Sequence, residues 1–281
     1  MINMKLNITK SLLTLVIIGA TSVFAQDVSG YEKVFYNSPD NQSNDNCELT
    51  ISKVVSTSEY SKLGLKISNS SSDFLLYNSK ESTFTFPFGD KHPVEKAVYI
   101  KPGGSKTKTL SVNGGDQFLQ KQYSVNIAGL YRIPMDGETT PVDNFKLPAS
   151  SNSMTAGNFK IALQKYDAST KEAKAVFECT YTGDKVAIVN GSNLSVTATN
   201  KKTNEDVVYA NDNKKSKPQI LNPGDKVKVT ASFHIPGKIV DMQFATMNIL
   251  WNDTFIETEA IPMDAFVFNL EINEAMTEEK K

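Results

Sequence analysis

The second half of this chain repeats its first half, and no other feature constrains the fold as strongly. A shift of 112 positions lays Cys47 to Phe86 on Phe159 to Ala198 without a gap. The register keeps apolar on apolar: Leu49 on Ile161, Ile51 on Leu163, Leu65 on Phe177, Ile67 on Cys179, Phe74 on Val186, Leu76 on Ile188 and Phe84 on Val196. Asn78 falls on Asn190, and Lys53 on Lys165. A self-match at so long a period reads as a duplicated domain, because solenoid units are shorter. Further along, Ile100-Lys101-Pro102-Gly103-Gly104 meets Leu221-Asn222-Pro223-Gly224-Asp225 at an offset of 121, so the second copy carries 121 − 112 = 9 extra residues. They lie in the polar stretch Thr199 to Lys217, where lengthening a surface connection costs little. Both copies end alike, Pro141 to Leu147 against Pro262 to Phe268.

Short alternating segments fill both copies. Glu48 to Ser52, Leu63 to Ile67 and Ser82 to Phe86 put apolar groups on one face at period two, and Lys226 to Ile235 is the longest such run. This is the pattern of half-buried antiparallel strands. Turn residues break it at Asn69 to Asp73, Pro102 to Gly104, Asn113 to Asp116 and Asn190 to Ser192. No long segment carries a 3.6-residue stripe. Each copy resembles an immunoglobulin-like β-sandwich, about seven strands in about 100 residues, of the kind common in bacterial envelope proteins. The resemblance is architectural. The Cys…Trp…Cys spacing of antibody domains is missing, and the one Trp, Trp251, lies late in the second copy.

The expected fold is therefore all-β, two tandem antiparallel immunoglobulin-like sandwiches from an internal duplication. The expected division is a signal peptide at 1–25, a polar lead-in at 26–46, sandwiches at 47–148 and 157–272, a linker at 149–156 and a charged tail at 273–281. The linker composition implies domains set end to end with hinge freedom, and the tail is expected to fray.

Lys5 and Lys10, the apolar run Ser11 to Ala20 and the small residues before Gln26 read as a secretory signal. That run is too short to span a bilayer, no Cys follows the cleavage site to carry a lipid anchor, and no other stretch has transmembrane length. The expected location is periplasmic or secreted. Without the signal the chain holds 28 basic and 31 acidic side chains, a formal charge of −3, too small a field to steer polyanions. Arg132 is the only arginine, and arginine is the side chain best fitted to phosphate and base edges. Nucleic acid is not an expected partner. Cys47 takes the place of Phe159 and Cys179 that of Ile67, so each reads as a buried hydrophobe in its own core rather than half of a disulfide.

The pattern offers little chemistry. His92 and His234 are not aligned by the repeat, and neither has the partners of a catalytic triad in sequence. The nucleotide-binding, hydrolase and zinc-protease strings are absent. Asp40 to Asn46 is rich in oxygen ligands, but an EF-hand needs Gly at its sixth position and Glu at its twelfth, where Asp45 and Ile51 stand; a solvated lead-in is expected there. No cofactor, metal or enzymatic activity is expected. Asn-x-Ser/Thr strings begin at Asn41, Asn69, Asn190, Asn193 and Asn252.

The candidate ligand contacts are aromatic. Phe84, Phe86 and Phe88 share a face; Phe84 matches core Val196, whereas Phe88 lies beyond the matched block and is expected to be exposed. Tyr31 belongs to a second aromatic group at the mature N-terminus. The expected function is a non-enzymatic module presenting two sandwiches to an envelope or extracellular protein. The alternatives are a pair of carbohydrate-binding modules using Phe88 and Tyr31, and a two-domain periplasmic chaperone, for which Arg132 has no evident partner.

Overall fold

A computed structural model describes residue 28, residues 30–213 and residues 216–279; the expected signal peptide lies outside the described residues. The chain is nearly all β, 53% strand and 4% helix, in several antiparallel sheets, as the period-two patterning requires. No helix among the described residues is long and apolar enough to cross a membrane.

In chain order the strands are β1 (Val34–Phe35), β2 (Gln42–Ser43), β3 (Cys47–Ser56), β4 (Tyr60–Asn69), β5 (Phe74–Asn78), β6 (Thr83–Phe86), β7 (Gly89–Lys91) and β8 (Ala97–Ile100). There follow β9 (Ser105–Asn113), β10 (Gln122–Ile127), β11 (Leu130–Ile133), β12 (Glu138–Thr139), β13 (Phe145–Leu147), β14 (Ser153–Ala156), β15 (Phe159–Ala168) and β16 (Glu172–Tyr181). The rest are β17 (Val186–Val189), β18 (Ser195–Thr199), β19 (Asp206–Ala210), β20 (Gln219–Leu221), β21 (Lys226–His234), β22 (Met247–Leu250), β23 (Phe255–Thr258), β24 (Ile261–Pro262), β25 (Phe266–Glu271) and a short helix, α1 (Glu274–Glu279).

One layer of the first half runs β1-β3-β4-β9, with β2 also on β3. The facing layer is made of strands broken midway. β5 and β6, interrupted by a 3₁₀ turn at Ser79–Glu81, pair with β11 and β10; β24 and β25 lie beyond those, and β8 and β7 on the other side. The same order recurs in the second half: β14-β15-β16-β21 in one layer, and β17 and β18 between β23 and β22 and between β20 and β19 in the other. Asn78 and Asn190, identical in the sequence match, do the same local work. Each caps the 3₁₀ turn that follows it, Oδ1 accepting from Lys80 N and Ser192 N at 3.3 Å, as short side chains do at such starts. Bulges also fall at matching places, between Ser52 and Val55 and between Leu163 and Lys165, with Lys53 taking a φ of 53°. Gly129 has a φ of +78°, and a side chain there would strike the Asn78 carbonyl, so the β10–β11 break requires glycine.

The inward faces of each layer pair meet in one apolar core. The first includes Leu49, Ile51, Leu63, Leu65, Tyr77, Phe84, Val125 and Leu130; the second includes Phe159, Phe177, Tyr181, Val196, Ile249 and Trp251. The strand pairings cross the division expected from sequence. β12 and β13 follow the first-half strands in the chain but pair with β23 and β22, whereas β24 and β25 return to β11 and β10. Each expected sandwich thus gives its last strands to the other, and Phe266, Phe268 and Leu270 belong to the first core while Phe145 and Leu147 belong to the second. The pairing also corrects the register of the match. Phe145 sits opposite Ile249, beside Val196, and Phe268 sits opposite Val125, beside Phe84. Phe145 therefore corresponds to Phe268 rather than Phe266. A slip of two residues keeps every side chain on its face, which is why the sequence could not detect it.

Three expected irregular segments are ordered. Ser153–Ala156, within the expected linker, is β14 and pairs with β15. The lead-in supplies β1 and β2, which satisfy the outer edge of β3. The tail forms α1, whose buried Thr277 accepts a hydrogen bond from Phe35 N at 3.1 Å. In place of a hinge, the two halves meet in a third apolar cluster. Phe74, Ile133, Ile188 and Ile256 form it, with Leu76, Tyr99, Met135, Val186, Ile220 and Ala260 packed around them. β5 and β17 are buried on both faces, so Phe74 to Tyr77 and Val186 to Val189 are unbroken apolar runs rather than alternating ones. Tyr99 Oη donates to Asn222 Oδ1 across the seam at 2.5 Å.

Candidate functional site

Phe88 is half-buried rather than exposed. The two-residue turn between β6 and β7 folds its ring onto Phe86 (centroids 4.9 Å, planes 10° apart), edge-on to Phe118 at 5.4 Å. Lys91 Nζ lies 5.9 Å above the same ring. Tyr31 is half-buried against the same core, its N–H on the Val28 carbonyl at 3.2 Å. Both residues therefore spend part of their apolar surface on the first core.

The other chemistry-bearing groups serve the fold. Cys47 and Cys179 are free and buried in separate cores, where burial pushes their thiols up to about 11 and about 12. Arg132, for which the sequence offered no partner, donates to Asp73 Oδ2 at 2.7 Å, while Asp73 Oδ1 accepts from Met135 N at 3.0 Å. The pair stands beside the apolar seam, next to Phe74 and Ile133. In the oxygen-rich lead-in, Asn44 Oδ1 accepts from Asn46 N and Cys47 N, a turn that starts β3. Buried Asn69 gives its amide to the Asp73 and Ile100 carbonyls at 2.7 and 3.1 Å. His92 Nδ1 lies 3.0 Å from the Ser82 carbonyl. Among the described residues no three His, Cys, Asp or Glu side chains gather in a metal-holding group.

Two surface features of the second half were not anticipated. The first lies along the outer edge of β21. β21 is an edge strand, and Asn211, Asp212, Asn213 and Ser216 lie along it in place of a neighbour. Asp212 N donates to the Ser232 carbonyl at 2.8 Å, Asn211 Oδ1 accepts from Ser232 N at 2.9 Å, and Asp212 Oδ2 accepts from His234 N at 2.8 Å. The Thr230 carbonyl takes donors from Asn211, Asn213 and Ser216. Side chains thus satisfy the edge groups that water or another strand would otherwise take. His234 also has its ring 3.2 Å from Asp212 Oδ2 and 3.6 Å from Glu172 Oε1. A polar cleft of about 500 Å³ remains beside this contact, lined by Glu172, Lys174, Asp212, Ser216 and Lys228.

The second feature is Phe244. After Pro236 the chain makes consecutive turns: Val240 N reaches the Pro236 carbonyl, and Phe244 N and Ala245 N reach that of Asp241 at 3.1 and 2.9 Å. Val240 and Met242 point into the second core. That anchors the loop and leaves Phe244 facing water, 81% exposed. It borders a groove of about 450 Å³ with Thr199, Lys201, Asp241 and Thr246. Lys201 Nζ lies 2.9 Å from the Gly237 carbonyl and 4.0 Å from Asp241 Oδ2. In sequence, Phe244 lies in an apolar stretch that reads as core; only the Pro236-Gly237 break hints at a loop.

No family model matches the chain, and no curated protein matches it. Among solved structures, it is similar to red sea bream transglutaminase at 9% identity, over 82% of this chain and 31% of that one, with a TM-score of 0.20. It is similar to the C-terminal globular domain of oligosaccharyltransferase from Pyrococcus abyssi at 11% identity, over 86% and 48%, with a TM-score of 0.18. The tandem CBM22-1-CBM22-2 domain of Paenibacillus barcinonensis Xyn10C matches at 12% identity, over 84% and 97%, with a TM-score of 0.15. The chain spans less than half the length of the first two. Likenesses at these scores carry no argument about fold or activity.

Proposed function

We propose that this chain is an exported, non-enzymatic binding module, a tandem duplication of an immunoglobulin-like sandwich with exchanged final strands, that engages a protein partner in the cell envelope. The recurring pairing order, the matched caps at Asn78 and Asn190 and the matched bulges support the duplication. The periplasmic or secreted location rests on the expected signal at 1–25. One observation carries the binding reading: Phe244, held 81% exposed by a loop anchored through buried neighbours. Leaving such a ring in water forgoes about 1.5–3 kcal/mol of burial. An aromatic anchor beside a groove with charged flanks is the usual composition of an interface hot spot.

The test is capture from envelope extract by immobilised residues 26–281, comparing the wild type with Phe244→Ala and analysing eluates for protein and glycan. A defined protein retained by the wild type, and weakened about tenfold or more by Phe244→Ala, is the expected result. Equal retention by both forms, or none by either, overturns the reading. A glycan without protein would favour the carbohydrate alternative, because the Phe244 ring with Asp241 and Lys201 nearby also suits a sugar face.

A further inference from the structure

The two copies treat one sheet edge differently. β9 is the first-half counterpart of β21 and likewise ends its sheet. Asn69 N donates to the Gly104 carbonyl at 2.8 Å, which sets the alternation: Lys106, Lys108, Leu110 and Val112 bond inward to β4, while Ser105, Thr107, Thr109, Ser111 and Asn113 turn N–H and C=O outward. The counterpart of Ser111, at the offset of 121, is Ser232, whose outward groups are covered by Asn211 and Asp212. In the first half the corresponding segment is held instead at Ser79, whose Oγ donates to the Val94 carbonyl at 2.7 Å and accepts from Lys96 N at 2.9 Å. Among the described residues no hydrogen bond reaches the outward backbone groups of Thr107, Thr109 or Ser111.

Charge distinguishes the open edge as well. The counterparts of Lys106 and Lys108 are the core residues Val227 and Val229. Lys106 lies opposite Ile67 and Lys108 opposite Leu65, on the face that carries buried Leu110 and Val112. None of the ion pairs among the described residues involves either lysine. Across a slot of about 70 Å³, Val94, 72% exposed, faces Lys108 to Ser111.

We propose that the outer edge of β9 is a docking site for an extended acidic segment of a protein partner, which adds to the sheet as a strand. Main-chain bonds to Thr107, Thr109 and Ser111 supply the attachment, as in other strand additions. Lys106 and Lys108 supply the selection: an apolar strand would bury two unpaired ammonium groups, whereas alternate carboxylates pair with them. A second copy of β9 is disfavoured because it brings lysine against lysine. Inward lysines are also a device that guards edges against indiscriminate pairing, and an acidic strand is the partner that meets that guard.

The inference relies on the protein-binding reading only for the source of the strand. The test uses residues 26–281 with a nine-residue peptide alternating threonine and aspartate, and a matched peptide with lysine for aspartate. The acidic peptide is expected to bind at least tenfold more tightly and to slow amide exchange at Thr107, Thr109 and Ser111. Lys106→Glu with Lys108→Glu reverses the preference. Thr107→Pro removes one outward N–H, spares the β4 ladder and weakens the acidic peptide about tenfold. Equal binding of both peptides, binding without amide protection, or indifference to Thr107→Pro overturns the proposal. Peptide failure with envelope capture intact refutes the edge alone. Peptide binding with nothing captured refutes the protein-partner reading alone.

Discussion

Replacing Phe268 by alanine is expected to loosen the first half of the chain, although Phe268 lies in the second. The ring is 1% exposed, and it sits on β25 opposite Val125 in the first core. Truncating a buried phenylalanine costs about 3–5 kcal/mol. At about 1.4 kcal/mol per factor of ten, the lower figure raises the local opening constant about a hundredfold. The mirror variant, Phe145→Ala, removes a ring that is 5% exposed and edge-on to Phe177 at 5.1 Å, in the second core. Native-state hydrogen exchange on residues 26–281 separates the two. Phe268→Ala should lower protection most in β6 and β10, and Phe145→Ala most in β18 and β22, each by about two orders of magnitude. The opposite assignment, each variant loosening the half of the sequence that contains it, would refute the exchange of final strands. It would restore two self-contained sandwiches.

Two further outcomes test the cores. Burial pushes the phenols of Tyr36 and Tyr77 up to about 12 from an ordinary 10.0. The unfolded chain therefore loses these protons first, and the stability they contribute is complete below pH 10 and lost as pH rises toward 12. Urea midpoints should fall over that window; tyrosinate absorbance that develops near pH 10 for every tyrosine with the fold intact would contradict the burial. Cys47 and Cys179 should resist a disulfide-exchange reagent in the native state and both react on unfolding, so prompt native reaction of either thiol would remove it from its core.

The local grammar of the fold is readable in the sequence. Alternation at period two identified strands such as Leu63 to Ile67, and the coincidence of Asn78 with Asn190 marked a shared turn start. The cysteines read correctly as core residues, because each fell on a large hydrophobe in the other copy. Polar composition misled in the lead-in and tail: β2 and α1 are held by backbone bonds to β3 and Phe35, and the lead-in's few apolar residues, Val34 and Tyr36, are enough to anchor β1 in the first core. Phe88 looked exposed because it lies past the matched block, yet a two-residue turn returned it to Phe86. The candidate surfaces were hidden for related reasons. Phe244 differs from a core residue only through the turns that follow Pro236, and the edge of β21 differs from that of β9 through hydrogen bonds from Asn211, Asp212, Asn213 and Ser216, which lie far from it in sequence.

By itself the sequence determined that the chain is made of short antiparallel strands and which of their residues face a core. The tertiary structure alone decided which final strand completes which sheet. Phe145-Lys146-Leu147 and Phe268-Asn269-Leu270 present the same apolar alternation, and either pattern satisfies either sheet. Alternation is a local property, whereas a strand's partner is settled far along the chain. Here the apolar seam of Phe74, Leu76, Val186 and Ile188 brings the two halves close enough for the exchange.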